Sequence, residues 1–532
     1  MKMFKVYLKN NVISNALVII LSILTGFVAL EISEQVKLIF NEAIVKNNLA
    51  IFEQNILFIS LLYIMLFFLN LSNNVLGNYI NWNGKKNLAM FSLDKLTKTE
   101  YTYFLKNNSA STWTDIGMSA DRVASYYSAI FDILSYIIKF SIYAVIIFNV
   151  NLYAGIFSLF AIPIIFLTTI GVKKKRTYYY EKMIEESRGL SAISVETLNT
   201  IRNIKVKNEY DFFIEKIDKR YTNLNRAVVG TALFDNYWIK VTDLINSIVP
   251  IFVLYLIMKL TSFIKTTQGD IIVLYSFIPM LLASFKGFYS MLMNIYASKP
   301  FIKSIKKYFD LAEENTGTVL IKEFKSLETE NLQLDNSGQI VKIPDIKIIK
   351  GEKTLIKGES GIGKSTLFNI MLGLRKDYTG SIKINGYELS EINIESLRKI
   401  IGISFQGHGV FSLNLEENIN LGNKELLDIN KIIQIVQLEK LAEDKKDTIL
   451  NINSLSGGEQ SRISIAQNLI RNPQVILIDE SLSSVDEIME SQIIKNIMDN
   501  FIDKTVVCIS HRKSTQEYFD KVIQFGIKEE AK

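Results

Sequence analysis

Of the 532 residues only one is cysteine and two are histidine. The lone thiol, Cys508, permits no intrachain disulfide and no CxxC pair, so neither a disulfide framework nor a thiolate zinc cage is available. A net charge of +6 is small for this length and gives no ground for a nucleic-acid partner. Low-complexity tracts and tandem repeats are lacking as well. Lys2, Lys5 and Lys9 precede an apolar run, but no small-residue cleavage site follows it. That argues for a retained helix rather than a signal peptide.

Apolar residues, by contrast, are abundant: they make up 48% of the chain, with 32 Phe and 24 Tyr, which is the composition of a membrane protein. A bilayer core needs roughly 20 apolar residues of helix. Six windows approach that length, near 12–32, 55–77, 130–148, 152–172, 239–260 and 271–295. The segments 1–11, 78–129 and 173–238 hold 22 Lys and Arg, whereas the connections between them hold three. Positive-inside weighting therefore predicts that both termini and two long loops are cytoplasmic, in a multi-pass protein of the cell membrane.

After Pro300 the apolar windows end. "KSIKKYFDLAEENTGT" reads as a helix leaving the membrane and then a polar linker, giving a membrane domain over 1–310 and a linker over 311–323. From 324 to 532 short apolar runs such as "KTLIKG", "SIKING" and "QVILIDE" alternate with amphipathic helices, the pattern of an α/β domain.

Within that domain "GESGIGKST" spans Gly358, Glu359, Ser360, Gly361, Ile362, Gly363, Lys364, Ser365 and Thr366 and matches GxxxxGK[ST]. It lies between an apolar strand candidate and a helical pattern, the setting a P-loop needs. Glycines let backbone amides wrap phosphate, Lys364 neutralises the outer phosphates, and the Ser365 hydroxyl holds Mg2+. "VILIDE" reads as a strand buried on both faces that ends in two acids. Asp479 is the expected Mg2+-side carboxylate, and Glu480 is placed to polarise an attacking water. In "LSGGEQSRISIAQNLIRNP" Ser456 and Glu459 form an S-x-x-E capping box at the start of a helix. The pair Gly457–Gly458 is costly beside a helix unless the backbone must approach something closely. Bare amides and a hydroxyl at a helix start suit a second phosphate surface.

This set of motifs, in this order, resembles the ATP-binding cassette (ABC) exporters, as a half-transporter: an all-α domain of six membrane helices fused to one α/β P-loop ATPase domain with a helical subdomain. The resemblance implies that "LSGGEQ" is the signature that binds ATP held by the opposite subunit. It also implies that Gln406 in "ISFQGHGVFSLNLEENI" is the Mg2+- and membrane-sensing glutamine, that "SSVD" is the D-loop ending in Asp486, and that His511 is the switch histidine beside the γ-phosphate. More diffusely, "LTKTEYTYFLKNNSASTWTDIGMSADRV", "SVETLNTIRNIKVKNEYDFF" and "GDIIVLYSFIPML" look like the family's membrane-domain segments. ATP and Mg2+ are the implied cofactors. Glu480, Gln406 and His511 are the implied catalytic residues, and alternating access in a dimer is the implied mechanism. Because Lys364, Gln406, Ser456, Glu480 and His511 are all present in this one chain, a homodimer is favoured, with a heterodimer left open.

Two features depart from the family. "LETENLQLDNSGQ" has no aromatic to stack adenine; Asn336 falls nearest the expected place and Phe324 is a conceivable substitute. "KKDTILNINS", before the signature, is shorter than usual. His408 stands two residues after Gln406, with no assigned role. Among the membrane windows Lys139 and Lys286, the latter beside Phe285, Phe288 and Tyr289, are candidates for a cargo cavity; snorkelling or a structural ion pair accounts for them equally well. Only about ten residues precede the first window, so a peptide cargo is expected to be matured elsewhere. A peptide such as a bacteriocin, an amphiphilic drug, or a lipid are the cargo classes left, in that order. A non-transporting regulator and an importer are the alternative readings. Cys508 in "TVVCIS" reads as a small hydrophobe within a buried strand, facing away from His511.

Overall fold

The computed structural model describes residues 1–46, 48–167, 173–259, 266–314, 316–336, 339–359, 361–405, 409–423, 427–445 and 448–525. Contacts divide the chain into two units, one of Met1–Thr99 with Tyr103–Glu313 and the other of Glu100–Thr102 with Glu314–Lys532.

The first unit is helical. Among the described residues five helices are long and apolar enough to cross a bilayer: Val12–Ile44, Leu49–Thr97, Ser109–Val150, Tyr210–Lys259 and Gln268–Ala297. Three of them start at capping side chains. Asn48 accepts from Ile51 N and Asn108 from Ser111 N, while Thr267 and Asp270 form a reciprocal box. The helices outrun the windows read from hydropathy. Leu49–Thr97 has 49 residues, about 74 Å of helix against a bilayer core of about 30 Å, so its polar end continues beyond the membrane. Ile13, Leu57, Phe67, Leu233 and Phe252 are among many large apolar side chains left exposed. Such a surface requires lipid rather than water around it.

The window at 152–172 is not one unbroken helix. Leu152–Leu159 and Ala161–Leu167 are separate short helices, and 168–172 lie outside the described residues. Asn151 adopts an extended conformation that ends the preceding helix and caps the next, its side chain accepting from Ala154 N at 3.0 Å. Pro163 removes a donor from the first turn that follows Phe160.

Beyond the apolar stretch the unit is pinned by a buried carboxylate. Asp115, 1% exposed, receives Arg188, Ser304 and the Tyr308 hydroxyl, and pairs with Lys307 at 2.7 Å. These residues come from the helices Ser109–Val150, Lys173–Asn199 and Lys299–Phe309, which the carboxylate ties together.

The second unit holds ten strands among its described residues: β1 Ser326–Asn336, β2 Gln339–Lys342, β3 Lys347–Ile349, β4 Lys353–Gly358, β5 Tyr378–Ile384, β6 Tyr387–Glu388, β7 Ile401–Ser404, β8 Val475–Asp479, β9 Thr505–Ile509 and β10 Lys521–Phe525. An antiparallel sheet runs β2-β1-β5-β6, with β3 also paired to β1. A parallel sheet runs β10-β4-β9-β8-β7. Every residue of β8 and β9 is buried, as expected for central strands covered on both faces. Alternate residues feed two cores: Ile356, Val507 and Leu477 pack toward Phe324 and Leu367, while Leu355, Cys508 and Ile478 pack toward Ile463, Ile493 and Ile497. Phe324, 2% exposed, is therefore a core residue, which removes it as a substitute adenine-stacking face.

Candidate nucleotide site

Strand order builds the site. β9 lies between β4 and β8, with Leu355 opposite Cys508 and Ile478 opposite Cys508 on the other side. All three strands are parallel, so their C-terminal ends, at Gly358, Ile509 and Asp479, emerge along one edge. Three segments far apart in sequence meet there.

At the end of β4 the chain turns through glycines. Gly358 has φ +157°, and a Cβ on it would stand 2.7 Å from the Phe525 carbonyl oxygen. Gly363, φ +99°, is the residue before the helix Lys364–Met371 and adopts a left-handed conformation that a side chain would strain. The first amides of that helix have no partner within the helix and face the loop. Lys364, 4% exposed, sends its Nζ to the carbonyls of Gly358 at 2.8 Å and Glu359 at 3.0 Å. The same Nζ lies 3.5 Å from Glu480 Oε1 and 3.2 Å from His511 Nε2. His511 Nε2 is 3.0 Å from Glu480 Oε1, which closes the cluster.

Glu480 sits just past β8 with φ +46°, strained for a non-glycine residue, and its N–H donates to the Ile509 carbonyl at 3.1 Å. Strain of this kind persists where surrounding bonds over-determine the backbone. Here it turns the carboxylate toward Lys364 and His511. Asp479, one residue earlier, faces the P-loop helix, and the Ser365 hydroxyl donates to its Oδ1 at 2.7 Å. Burial, and then the neighbouring Glu480 charge, hold the Asp479 carboxyl above its usual range against the lowering effects of Ser365 and Lys364. An all-oxygen set of one hydroxyl and one desolvated carboxylate beside phosphate-binding amides suits Mg2+, which would favour the ionised form. Gln406, Ser360 and His408 lie outside the described residues. Glu359, Gly361, Ile362 and Thr366 belong to the same loop and helix start.

The signature segment is built as its sequence suggests. The Ser456 side chain accepts from Glu459 N at 3.2 Å, and Glu459 Oε2 accepts from Ser456 N at 2.7 Å, opening the helix Gly457–Leu469. A Cβ on Gly457 would stand 3.3 Å from Ser484 Cβ, and one on Gly458 3.5 Å from the Ser484 carbonyl oxygen. Bare glycines thus let the helix start lie against the loop after β8, where Ser461 Oγ and Ser484 Oγ bond at 2.7 Å. Asp486 ends that loop by capping the helix Glu487–Asn500, accepting from Met489 N at 2.9 Å.

One arrangement was not read from the sequence. Arg512, next to His511, pairs with Glu490 Oε2 at 2.8 Å and donates to the carbonyls of Val485 at 2.6 Å and Ser483 at 3.2 Å. Ser510 Oγ donates to Glu490 Oε1 at 3.0 Å. One guanidinium therefore holds the loop bearing Ser484 against the segment bearing His511. The available signal was a glutamate on the buried stripe of an amphipathic helix, which needs a cation.

In the membrane unit Lys286 pairs with Asp243. Phe285, Phe288 and Tyr289 cluster with Trp238, with the Trp238 and Tyr289 rings 5.6 Å apart. Lys139 lies on the helix Ser109–Val150, two turns beyond Asp132, and is not part of that cluster.

The family model of the ABC transporter transmembrane region matches residues 16–285, and that of the ABC transporter matches 341–483. The chain belongs to the ABC transporters. The transporter is 24% identical over 493 residues to the heterocyst differentiation ATP-binding protein HepA of Nostoc sp., covering 87% of this chain and 79% of HepA. It is 23% identical over 427 residues to the transport/processing ATP-binding protein ComA of Streptococcus pneumoniae, covering 78% and 59% of the two chains. Its fold matches the structure of a bacterial Atm1-family ABC exporter with ATP bound, with a TM-score of 0.84, 19% identity, and coverage of 98% of this chain and 94% of that one. This is an exporter-type half-transporter that binds ATP, normally with Mg2+, and couples its hydrolysis to transport. Lys364, Ser365, Asp479, Glu480 and His511, the residues expected from the sequence to serve that reaction, are the ones gathered at this sheet edge.

Proposed function

We propose that the transporter acts as a homodimer in the cell membrane, with both termini and the ATPase unit cytoplasmic, and exports an amphiphilic cargo, in the first place a peptide. The observation that carries the dimer reading is that one chain supplies both complementary surfaces intact. Lys364, Ser365, Asp479, Glu480 and His511 are gathered at one sheet edge, and a capped signature helix carries Ser456 and Gly457–Gly458 with their amides bare. Two copies then complete two equivalent sites. For the cargo, the aromatic cluster of Trp238, Tyr289, Phe285 and Phe288 and the Lys286–Asp243 pair offer apolar area beside charge within the membrane unit. An ionisable residue within a membrane segment is a candidate for a substrate path.

A screen of candidate peptides, amphiphilic drugs and lipids for stimulation of ATP hydrolysis by the full-length protein in lipid tests this. Glu480→Gln is the inactive control and should still bind ATP. Stimulation by peptides, with accumulation on the side opposite the ATPase unit, is the expected result. Turnover indifferent to every cargo class, or accumulation on the same side, overturns the reading.

A further inference from the structure

The helix Lys2–Leu8 buries Tyr7 completely, and the rings of Phe4 and Tyr7 each lie 5.3 Å from that of Tyr127, tilted against it. With that face clamped, the opposite face is fixed as well. Lys2 and Lys5 lie one turn apart on that helix, Lys9 is the residue just past its end, and all three are exposed. Among the described residues no carboxylate pairs with any of them. Asp94, which lines the same groove as they do, is engaged by Lys98 at 2.9 Å. The three lysines border an open groove of about 930 Å³ whose other walls include Val12, Met90 and Phe91. Lys2 Nζ lies 5.1 Å from the Phe91 ring, so the groove combines positive charge with an apolar floor.

Its position specifies the ligand. Lys9 is followed within four residues by Val12 and Ile13, 61% and 77% exposed, which open the first membrane helix. The groove thus lies where a charged surface passes directly into lipid-facing helix, the depth at which phosphate headgroups give way to acyl chains. A soluble anion would use only the ammonium groups and leave Met90, Phe91 and Val12 uncovered. A neutral lipid would leave three unpaired cations.

We infer that this groove is a binding site for an anionic phospholipid of the bilayer, with its phosphate on Lys2, Lys5 and Lys9 and its acyl chains leaving the groove along Val12. The inference does not depend on the cargo.

The test uses the full-length protein in a neutral detergent, titrated with phosphatidylglycerol bearing a fluorescent acyl chain and followed by anisotropy. Each lysine is expected to contribute about fivefold in affinity, so the triple Lys→Gln variant at positions 2, 5 and 9 should bind about a hundredfold more weakly. The triple Lys→Arg variant should bind as the parent does, and all three proteins should keep the same basal ATP hydrolysis in detergent. Phosphatidylcholine with the same acyl chain should bind weakly, and glycerol phosphate should not compete at lipid concentrations. Unchanged affinity in the Gln variant, or equal binding of phosphatidylcholine, overturns the site. Competition by glycerol phosphate as strong as by the lipid shows a simple anion site and overturns the lipid assignment.

Discussion

Arg512→Ala removes the only cation paired with Glu490 among the described residues, and the structure allows its consequence to be worked through. Glu490 is 3% exposed and would keep only the Ser510 hydroxyl. Breaking a buried pair by deleting one partner costs about 3–5 kcal/mol. The Arg512 side chain is 26% exposed, so water reaches the vacated space and the expectation falls to about 2–4 kcal/mol. Cys508 supplies the assay, because it is the only thiol, is buried in β9, and is protected by desolvation that pushes its thiol well above the ordinary range. If opening and closing are fast against labelling, the rate of thiol modification reads the opening equilibrium. The variant should then label about 30- to 900-fold faster at pH 8.

The sign of the pH dependence follows from Glu490. Burial already raises its carboxyl above the usual glutamate value, and Arg512 opposes that rise. A raised acid takes up a proton on folding, so its contribution is favourable below the unfolded value and is lost as pH climbs through the folded one. Without Arg512 the carboxyl rises further, and protonation relieves the buried charge. The ratio of variant to parent labelling should therefore shrink as pH falls toward 5, and Glu490→Gln on the Arg512→Ala background should restore much of the protection. Acceleration below about threefold at pH 8, or a ratio that does not change with pH, would refute the reasoning.

His511→Ala should lower ATP turnover by about 10²–10⁴-fold, as for loss of a positioned catalytic group. Cys508→Ala should leave turnover within a few-fold and cost about 1 kcal/mol for the small cavity, so loss of catalysis in the cysteine variant would contradict the assignment. Asp115→Ala strips the shared acceptor from Arg188, Ser304, Lys307 and Tyr308 and should lower the thermal midpoint in detergent, with Asp115→Asn intermediate. An unchanged midpoint would show that the three helices do not depend on that carboxylate.

How much was legible differs between the two units for a physical reason. In the ATPase unit the P-loop, "VILIDE" and "LSGGEQ" are local devices, in which short-range backbone geometry and the chemistry coincide. Gly363 needs its left-handed turn, and Ser456 needs Glu459, wherever the chain goes next. In the membrane unit hydropathy showed where lipid lies, yet it could not show where helices end. Polar continuations such as the far end of Leu49–Thr97 are invisible to an apolar window, and the break at Phe160, three residues before Pro163, falls within a run that is uniformly apolar. Phe324 looked free in sequence because aromaticity is local while burial is not.

The amino-acid sequence alone determined that this chain spans a membrane and carries an ATPase unit with a P-loop and two strand-end acids, and it set the expectation that His511 rather than Cys508 serves the chemistry. Only the tertiary structure decided that Glu480, His511 and Lys364 close on one another, because β9 must insert between β4 and β8 to align their ends. It alone also revealed Arg512 as the clamp between two loops, and Lys2, Lys5 and Lys9 as one charged wall of a groove. Motifs encode what a segment can do over a few residues. Which segments meet is set by strand order and by the burial of faces such as that of Tyr7, and both are properties of the whole chain.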